Sequence, residues 1–360
     1  MSDEPQITYG LYLSAGDEYL RVLKGNLSVE RDGEAHSIPL QSVESVVASS
    51  RARISGAAVT ALHEEGVSLT LVDGRGAFRG RLEPNPSPNA LLRRAQLGAA
   101  EDPARALLIA RAIVAAKLVN QKTLLLRRER RGELDLSTNI ASIDTALASV
   151  PHTTSRAELM GHEGVAARAY FDAWPRLLEG SPFTWTGRSR RPPADPVNAL
   201  LSYGYAIATA RCADAASIAG LDPYIGFLHA DQRGRPELGL DLVEEFRTPL
   251  VDSVVLALVN RKQLLPEHFH AGPDGACLLT PEAKRPFFAA FDTALRRELI
   301  HPASGRNYPF SAFPILQARL LGHFCAGRLT HYTAVSLSRT RDAGPPASSC
   351  SHGSLPCGSD

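Results

Sequence analysis

The chain has almost no net charge, no long apolar run and little cysteine. Its 39 Lys and Arg against 38 Asp and Glu leave a formal +1, so any nucleic-acid surface has to come from local segregation of charge. No run approaches the roughly 20 apolar residues of a membrane span. The start, Met1-Ser2-Asp3-Glu4-Pro5-Gln6, is acidic and polar where a secretory leader is basic and then apolar, so a cytoplasmic protein with no membrane partner is expected. Cysteine is odd in number and scattered, at Cys212, Cys277, Cys325, Cys350 and Cys357. That argues against a disulfide framework and offers none of the close pairs of a zinc ribbon or redox motif. No internal repeat of solenoid length is evident.

What is present suits an ordinary globular protein: 360 residues, 44% hydrophobic and 21% charged, enough for two domains. Before Pro84, short alternating runs (7–13, 19–23, 27–31, 36–40) are separated by turn signals at Gly16-Asp17, Gly25-Asn26 and Asp32-Gly33, the pattern of half-buried strands. Val43–Ala48 and Val67–Val72 read as further strands, and Ser55 caps a short helix running to Glu64. Pro84, Pro86 and Pro88, interleaved with Asn85, Ser87 and Asn89, restrain a linker. Beyond Leu91, stretches 103–131, 136–149, 154–174, 196–219, 238–262, 281–299 and 311–329 carry apolar residues at helical spacing. The expected fold class is α+β in two domains: a small β-rich N-terminal domain (1–84), a linker (85–91), a larger all-α C-terminal domain (92–337), and a Ser/Pro-rich tail (338–360) expected to be disordered.

Three segments carry the chemistry: Gly161-His162-Glu163-Gly164, Gly226-Phe227-Leu228-His229 and Asp241-Leu242-Val243-Glu244-Glu245-Phe246-Arg247. Hard carboxylate oxygens with one neutral imidazole suit magnesium or manganese and phosphoester chemistry. On a helical wheel, Asp241, Glu244 and Glu245 fall on one side and Leu242, Val243 and Phe246 on the other, so Asp241 and Glu244 could present two carboxylates to one cation. Each segment also has a plainer reading: a solvated acidic face partnered by Arg247, and a hydrogen-bonded core histidine. Gly161 and Gly164 each cost a helix about 1 kcal/mol, a cost that calls for either close helix packing or the approach of a ligand.

Taken together, these segments resemble the CRISPR-associated adaptation integrase, the Cas-one protein family. The run Arg188-Ser189-Arg190-Arg191-Pro192-Pro193-Ala194-Asp195-Pro196-Val197-Asn198-Ala199-Leu200-Leu201-Ser202-Tyr203-Gly204-Tyr205 and Leu92-Arg93-Arg94-Ala95-Gln96 extend the resemblance over roughly residues 8 to 332; the tail after Ser338 departs from it. The resemblance implies an endonuclease/integrase of antiviral defence that inserts spacer DNA into a CRISPR array by transesterification, a DNA 3′-hydroxyl attacking a repeat phosphodiester. It implies Glu163, His229 and Glu244 as catalytic ligands of magnesium or manganese. Asp241 follows as a weak or water-mediated ligand, or as the residue that orients His229. It further implies double-stranded and branched DNA as substrate, a homodimer formed through the N-terminal domains, and the Cas-two protein as partner. Arg188, Arg190, Arg191, Asn198 and Arg247 are the expected DNA contacts. The alternatives are a catalytically inactive DNA-binding scaffold of the same fold and an unrelated zinc hydrolase.

Other candidates are weaker. Arg127, Arg128, Arg130 and Arg131 crowd one helix end, where they could meet phosphates or simply favour the helix dipole. His268 and His270 read as a surface pair, and Gly74, Gly76 and Gly80 as turn glycines lacking the Lys-Ser or Lys-Thr of a nucleotide loop.

Overall fold

The computed structural model describes residues 9–13, 18–31, 33–73, 78–82, 89–130, 134–190, 192–229, 234–272 and 274–337. The proline linker up to Pro88, the turns at Gly16-Asp17 and Gly74-Arg75-Gly76, Arg131, Arg191 and the tail from Ser338 lie outside them.

The N-terminal part holds two four-stranded sheets. In the first, β1 (Tyr9–Leu13), β5 (Val43–Ser49) and β7 (Ser68–Val72) run parallel, and β8 (Phe78–Leu82) pairs antiparallel to β7, in the order β1-β5-β7-β8. In the second, β4 (Glu34–Ile38), β3 (Asn26–Arg31) and β2 (Tyr19–Leu23) form an antiparallel meander, and β6 (Arg53–Ile54) joins β2 in parallel. The β2–β3 hairpin turns through Lys24 (φ 52°) and Gly25 (φ 80°); two successive left-handed residues match the twist of the flanking strands. Helix α1 (Gly56–Glu64) starts where Ser55 accepts from the Ala58 amide at 3.1 Å. Leu13, Leu20, Leu27, Val46, Ala48 and Leu62 are buried in one cluster between these elements.

A second buried cluster lies among the helices α2 (Ala90–Glu101), α3 (Pro103–Glu129), α4 (Ser137–Ser149), α5 (Arg156–Asp172), α6 (Trp174–Leu177), α7 (Pro196–Ile218), α8 (Glu237–Val243), α9 (Ser253–Asn260), α10 (Pro281–Leu295) and α11 (Phe313–Cys325). α7 is central: Pro196 sits in its first turn, the Asp195 carboxylate accepts from the Asn198 amide, and buried residues recur on every face, as a helix surrounded by others requires. Gly204 lets it close on its neighbour, since a Cβ there would lie 2.5 Å from Val251 Cγ1.

Two expectations are corrected. The helical part is not all-α: β9 (Phe269–Ala271) pairs with β10 (Cys277–Leu279), and β11 (Glu298–Ile300) with β12 (Asn307–Pro309). The stretch 238–262 is not one helix: α8 stops at Val243, residues 244–246 turn, and Arg247–Asp252 form a π-helical segment that enters α9. Pro249, which has no amide proton to give the ladder, lies inside that segment. Among the described residues, no helix is long and apolar enough to cross a membrane.

The first sheet packs onto α7 and α10. Tyr12 stacks on Phe288 with ring centroids 4.0 Å apart. Ser68 donates to Asp214 at 2.9 Å, Arg81 reaches Asp214 at 3.0 Å and Ser217 at 2.7 Å, and Arg211 donates to Ser45 at 3.1 Å.

Candidate metal centre and basic cleft

The three segments meet where α3, α5, the loop after α7 and the end of α8 come together. Their meeting point is a residue absent from the sequence reading, Lys117 of α3. Its buried ammonium is ion-paired with Glu163 of α5 and lies 2.7 Å from Glu244 Oε2. Glu244 Oε1 lies 3.1 Å from Arg247 Nη1 and 3.9 Å from His229 Nε2. Glu163, His229 and Glu244 are thus neighbours, but among the described residues no three His, Cys, Asp or Glu side chains already stand at metal-holding spacing. The two glutamates converge on the ammonium.

Asp241 is fully buried and takes four donors: the amides of Phe227 (2.5 Å), Leu228 (2.9 Å) and His229 (3.1 Å), and His229 Nδ1 at 2.7 Å. A carboxylate has about four acceptor sites, so Asp241 has no lone pair left for a cation. Of the roles expected for Asp241, weak or water-mediated ligand or orienter, this geometry favours the orienter, with His229 Nδ1 directed at Asp241 and Nε2 toward Glu244. Gly226 makes the wrap possible, since a Cβ there would lie 3.0 Å from Asp241 Oδ2. At Gly161 and Gly164 a Cβ would meet nothing within 4 Å, so helix packing does not account for those glycines.

The acidic stretch is not a solvated face. Asp241, Glu244 and Glu245 are all buried, and the two adjacent glutamates experience opposite fields. Burial alone would raise the Glu244 pKa, but the Arg247 and Lys117 charges hold it down at about 2. Burial pushes Glu245 up to about 7 against the donors Tyr332, Val335 and Gln317. Burial works against charge on His229 and Lys117 as well; the adjacent carboxylates, Asp241 for His229 and Glu244 with Glu163 for Lys117, outweigh it and raise both pKa values. Glu163, His229 Nε2 and Glu244 form a hard-oxygen and imidazole donor set whose carboxylates are already organised around positive charge, so these residues fit a divalent ion.

Beside this site a cavity of about 760 Å³ opens between β8, α7 and the approach to α8, and Arg79, Arg81, Arg188, Arg190, Arg235 and Arg247 line it with Tyr205. Of the expected DNA contacts, Arg188, Arg190 and Arg247 face it. Asn198 does not: it is fully buried, donates to Gly187 O at 2.8 Å and accepts from Arg188 at 2.7 Å and from the Ser189 amide at 3.0 Å. That expectation is corrected, because Asn198 shapes the loop that presents Arg188 and has no surface of its own. Arg79, Arg81 and Arg235 were missed: Arg79 and Arg81 lie far along the chain from the family-like motifs, and only the packing of the first sheet on α7 brings them here, while Arg235 lies between the second and third motifs. Tyr205 lies under two guanidinium groups, Arg247 at 4.9 Å and Arg188 at 5.5 Å from its ring centroid.

The other basic cluster borders a separate cavity of about 380 Å³ lined by Arg127, Arg128, Arg261 and Arg297. His268 Nδ1 accepts from the Leu265 amide at 3.1 Å, a local turn contact.

A family model described as "CRISPR associated protein Cas1" matches residues 11–293. The chain is 36% identical over 334 residues to the CRISPR-associated endonuclease Cas1 2 of Rhodospirillum rubrum, an alignment covering 89% of this chain and 96% of that protein. A casposase bound to integration product shares the fold with TM-score 0.80 and 22% identity, over 93% of this chain and 96% of that one. A chain of a Cas6-RT-Cas1–Cas2 complex does so with TM-score 0.78 and 23% identity, over 94% of this chain and 37% of that one.

Proposed function

The chain belongs to the Cas1 family of CRISPR-associated proteins, and from that premise we propose that it is a metal-dependent DNA endonuclease and integrase of CRISPR adaptation. The reaction is a transesterification: a DNA 3′-oxygen attacks a phosphodiester phosphorus, the new P–O bond forms as the old P–O3′ bond breaks, and the departing 3′-oxygen ends with the proton that the entering hydroxyl loses. No protein nucleophile is needed. The observation that carries this reading is the convergence of Glu163, His229 Nε2 and Glu244 beside an arginine-lined cleft.

Glu163, His229 and Glu244 would hold magnesium or manganese, which supplies Lewis-acid polarisation of the scissile phosphate and stabilises charge on the entering or leaving oxygen. Asp241 keeps the imidazole in the Nδ1–H tautomer, leaving Nε2 as the donor atom. Arg247 fixes Glu244 and, with Arg188 and Arg190, faces the cleft where phosphates of double-stranded or branched DNA lie. The β-rich N-terminal part serves a homodimer, and a Cas2 protein completes the assembly, in line with the Cas1–Cas2 complex among the related folds.

Strand transfer tests the reading. Purified protein with a Cas2 partner, a labelled duplex with free 3′ ends and supercoiled repeat DNA should give covalent joint molecules in magnesium or manganese and none in chelator. Glu163→Gln, His229→Ala and Glu244→Gln should each lower the rate at least a hundredfold while leaving DNA binding intact. Full activity in chelator, or in all three variants, overturns it; binding without joining by the wild type indicates a scaffold.

A further inference from the structure

A lysine inside a helix is almost never fully buried unless it is paired, and Lys117 is buried between Ala116 and Leu118, themselves buried, with both carboxylates of the proposed metal site as its partners. The ammonium contacts Glu163 Oε1 and Glu244 Oε2. These are the carboxylates that would hold the magnesium or manganese ion, so the ammonium sits among the oxygens such an ion would use. Glu244 is buried and Glu163 half-buried, and two such carboxylates brought together repel one another, so some positive charge has to remain between them. The other cation at hand, Arg247, is turned to the opposite oxygen, Glu244 Oε1 at 3.1 Å, and does not reach Glu163 in any ion pair among the described residues.

We infer that Lys117 is a built-in counter-ion of the metal centre, a positioning residue whose ammonium exchanges with the divalent ion and thereby sets how tightly that ion is held. The inference rests on the proposed reading of Glu163 and Glu244 as metal ligands. The lysine holds the two glutamates facing each other across one positive charge. The flexible four-carbon stem lets the ammonium swing aside without backbone movement. An ion that must displace a bonded ammonium binds more weakly than one entering the same carboxylates unopposed, and removal of the ammonium therefore strengthens metal binding while weakening the metal-free fold.

The test uses the full chain, stripped with chelator, with manganese alone as the probe. Calorimetric or spin-resonance titration should show Lys117→Met binding manganese about tenfold or more tightly than wild type, with Lys117→Arg close to wild type. Thermal unfolding in chelator should place Lys117→Met below wild type, and manganese should raise its midpoint by more than it raises the wild-type midpoint. Should Lys117→Met fail to fold, amine acylation of the wild-type protein read by mass spectrometry gives a second measurement: manganese should increase modification of Lys117. Equal or weaker manganese affinity in Lys117→Met, or Lys117 labelling unchanged by manganese that demonstrably binds, overturns the exchange while the metal reading stands. If the wild type and both variants bind no manganese, the metal reading falls and the exchange falls with it.

Discussion

The Tyr205 hydroxyl donates to Asp252 Oδ1 at 2.5 Å, and Tyr170 donates to Oδ2 of the same carboxylate at 2.8 Å. Asp252 is buried, and although the tyrosine hydroxyls counter the effect, burial raises its pKa. This pair fixes the ring on which Arg188 and Arg247 both rest, so the carboxylate acts on the cleft without facing it. Asp252→Ala should cost about 2–4 kcal/mol by leaving the buried Tyr170 hydroxyl and the half-buried Tyr205 hydroxyl without their acceptor, measured by urea unfolding. Asp252→Asn keeps one acceptor and should cost about half as much. Both should weaken DNA binding through the displaced guanidinium groups; unaltered affinity in a folded Asp252→Asn protein would show that the arginines hold their places without the tyrosine.

Asp241 gathers the three amides of the Phe227–His229 turn as well as the imidazole. Asp241→Ala should destabilise the protein by about 3 kcal/mol or more, because several buried donors lose their acceptor together. Asp241→Asn should fold better than Asp241→Ala and still lose metal affinity by about 10–100-fold, the usual effect of removing a carboxylate behind a ligand histidine. Calorimetry with manganese checks it, and wild-type affinity in Asp241→Asn would mean that the imidazole needs no such partner.

How much of this was legible in the sequence follows from how local each cause is. Ser55 and Asp195 each cap a helix through the amide three residues on, and both were readable as helix starts or as part of a family-like run. Glu163, His229 and Glu244 stood out through short motifs. Lys117 did not: a lone lysine in an alanine-rich helix looks like a surface residue until two distant glutamates fold over it. Asp241 and Glu244 looked equivalent on a helical wheel, but α8 ends between them, so one turns into the loop and the other toward Lys117. Glu245 sits beside Glu244, yet it is committed to Tyr332 at 2.6 Å and the Val335 amide at 2.6 Å, contacts that only the return of the chain after α11 supplies. The hairpins after α9 and α10 have strands of three residues, too short for alternation to register.

His301 provides a pH dependence remote from the metal centre. It is buried, and Nε2 meets Gln317 Oε1 at 2.9 Å, while Gln317 Nε2 is already given to Glu245, Tyr332 and Thr333; Oε1 is therefore the acceptor and His301 Nε2 carries the proton. Burial lowers its pKa below 6.5. The unfolded chain then takes up the proton first, so the stability His301 contributes is complete above the unfolded value and is lost as pH falls from about 6.5 through the folded value. Glu245, held up at about 7 in the same network, contributes in the opposite sense as pH falls, so the His301 contribution is read as a difference: across that window wild type should lose stability relative to His301→Gln. Parallel curves for the two proteins would assign the acid sensitivity elsewhere.

Arg190 and Asn198 separate contact from scaffolding in the basic cleft. Arg190 is exposed and lines the cavity, so Arg190→Ala should leave stability within about 0.5 kcal/mol and reduce the slope of log binding constant against log salt by about 0.9 for each duplex phosphate lost. Asn198 instead ties Arg188, Ser189 and Gly187 to the first turn of α7, where its own amide is bonded to Asp195. Asn198→Ala should cost about 2 kcal/mol or more of folding free energy, and its effect on DNA should track the loss of Arg188 geometry. In a double-mutant cycle, Asn198→Ala and Arg188→Ala should therefore be strongly non-additive for DNA affinity, whereas Arg190→Ala and Asn198→Ala should add. Additivity in both cycles would mean that Asn198 does not act through Arg188, and a salt slope unmoved by Arg190→Ala would take that arginine off the phosphate path.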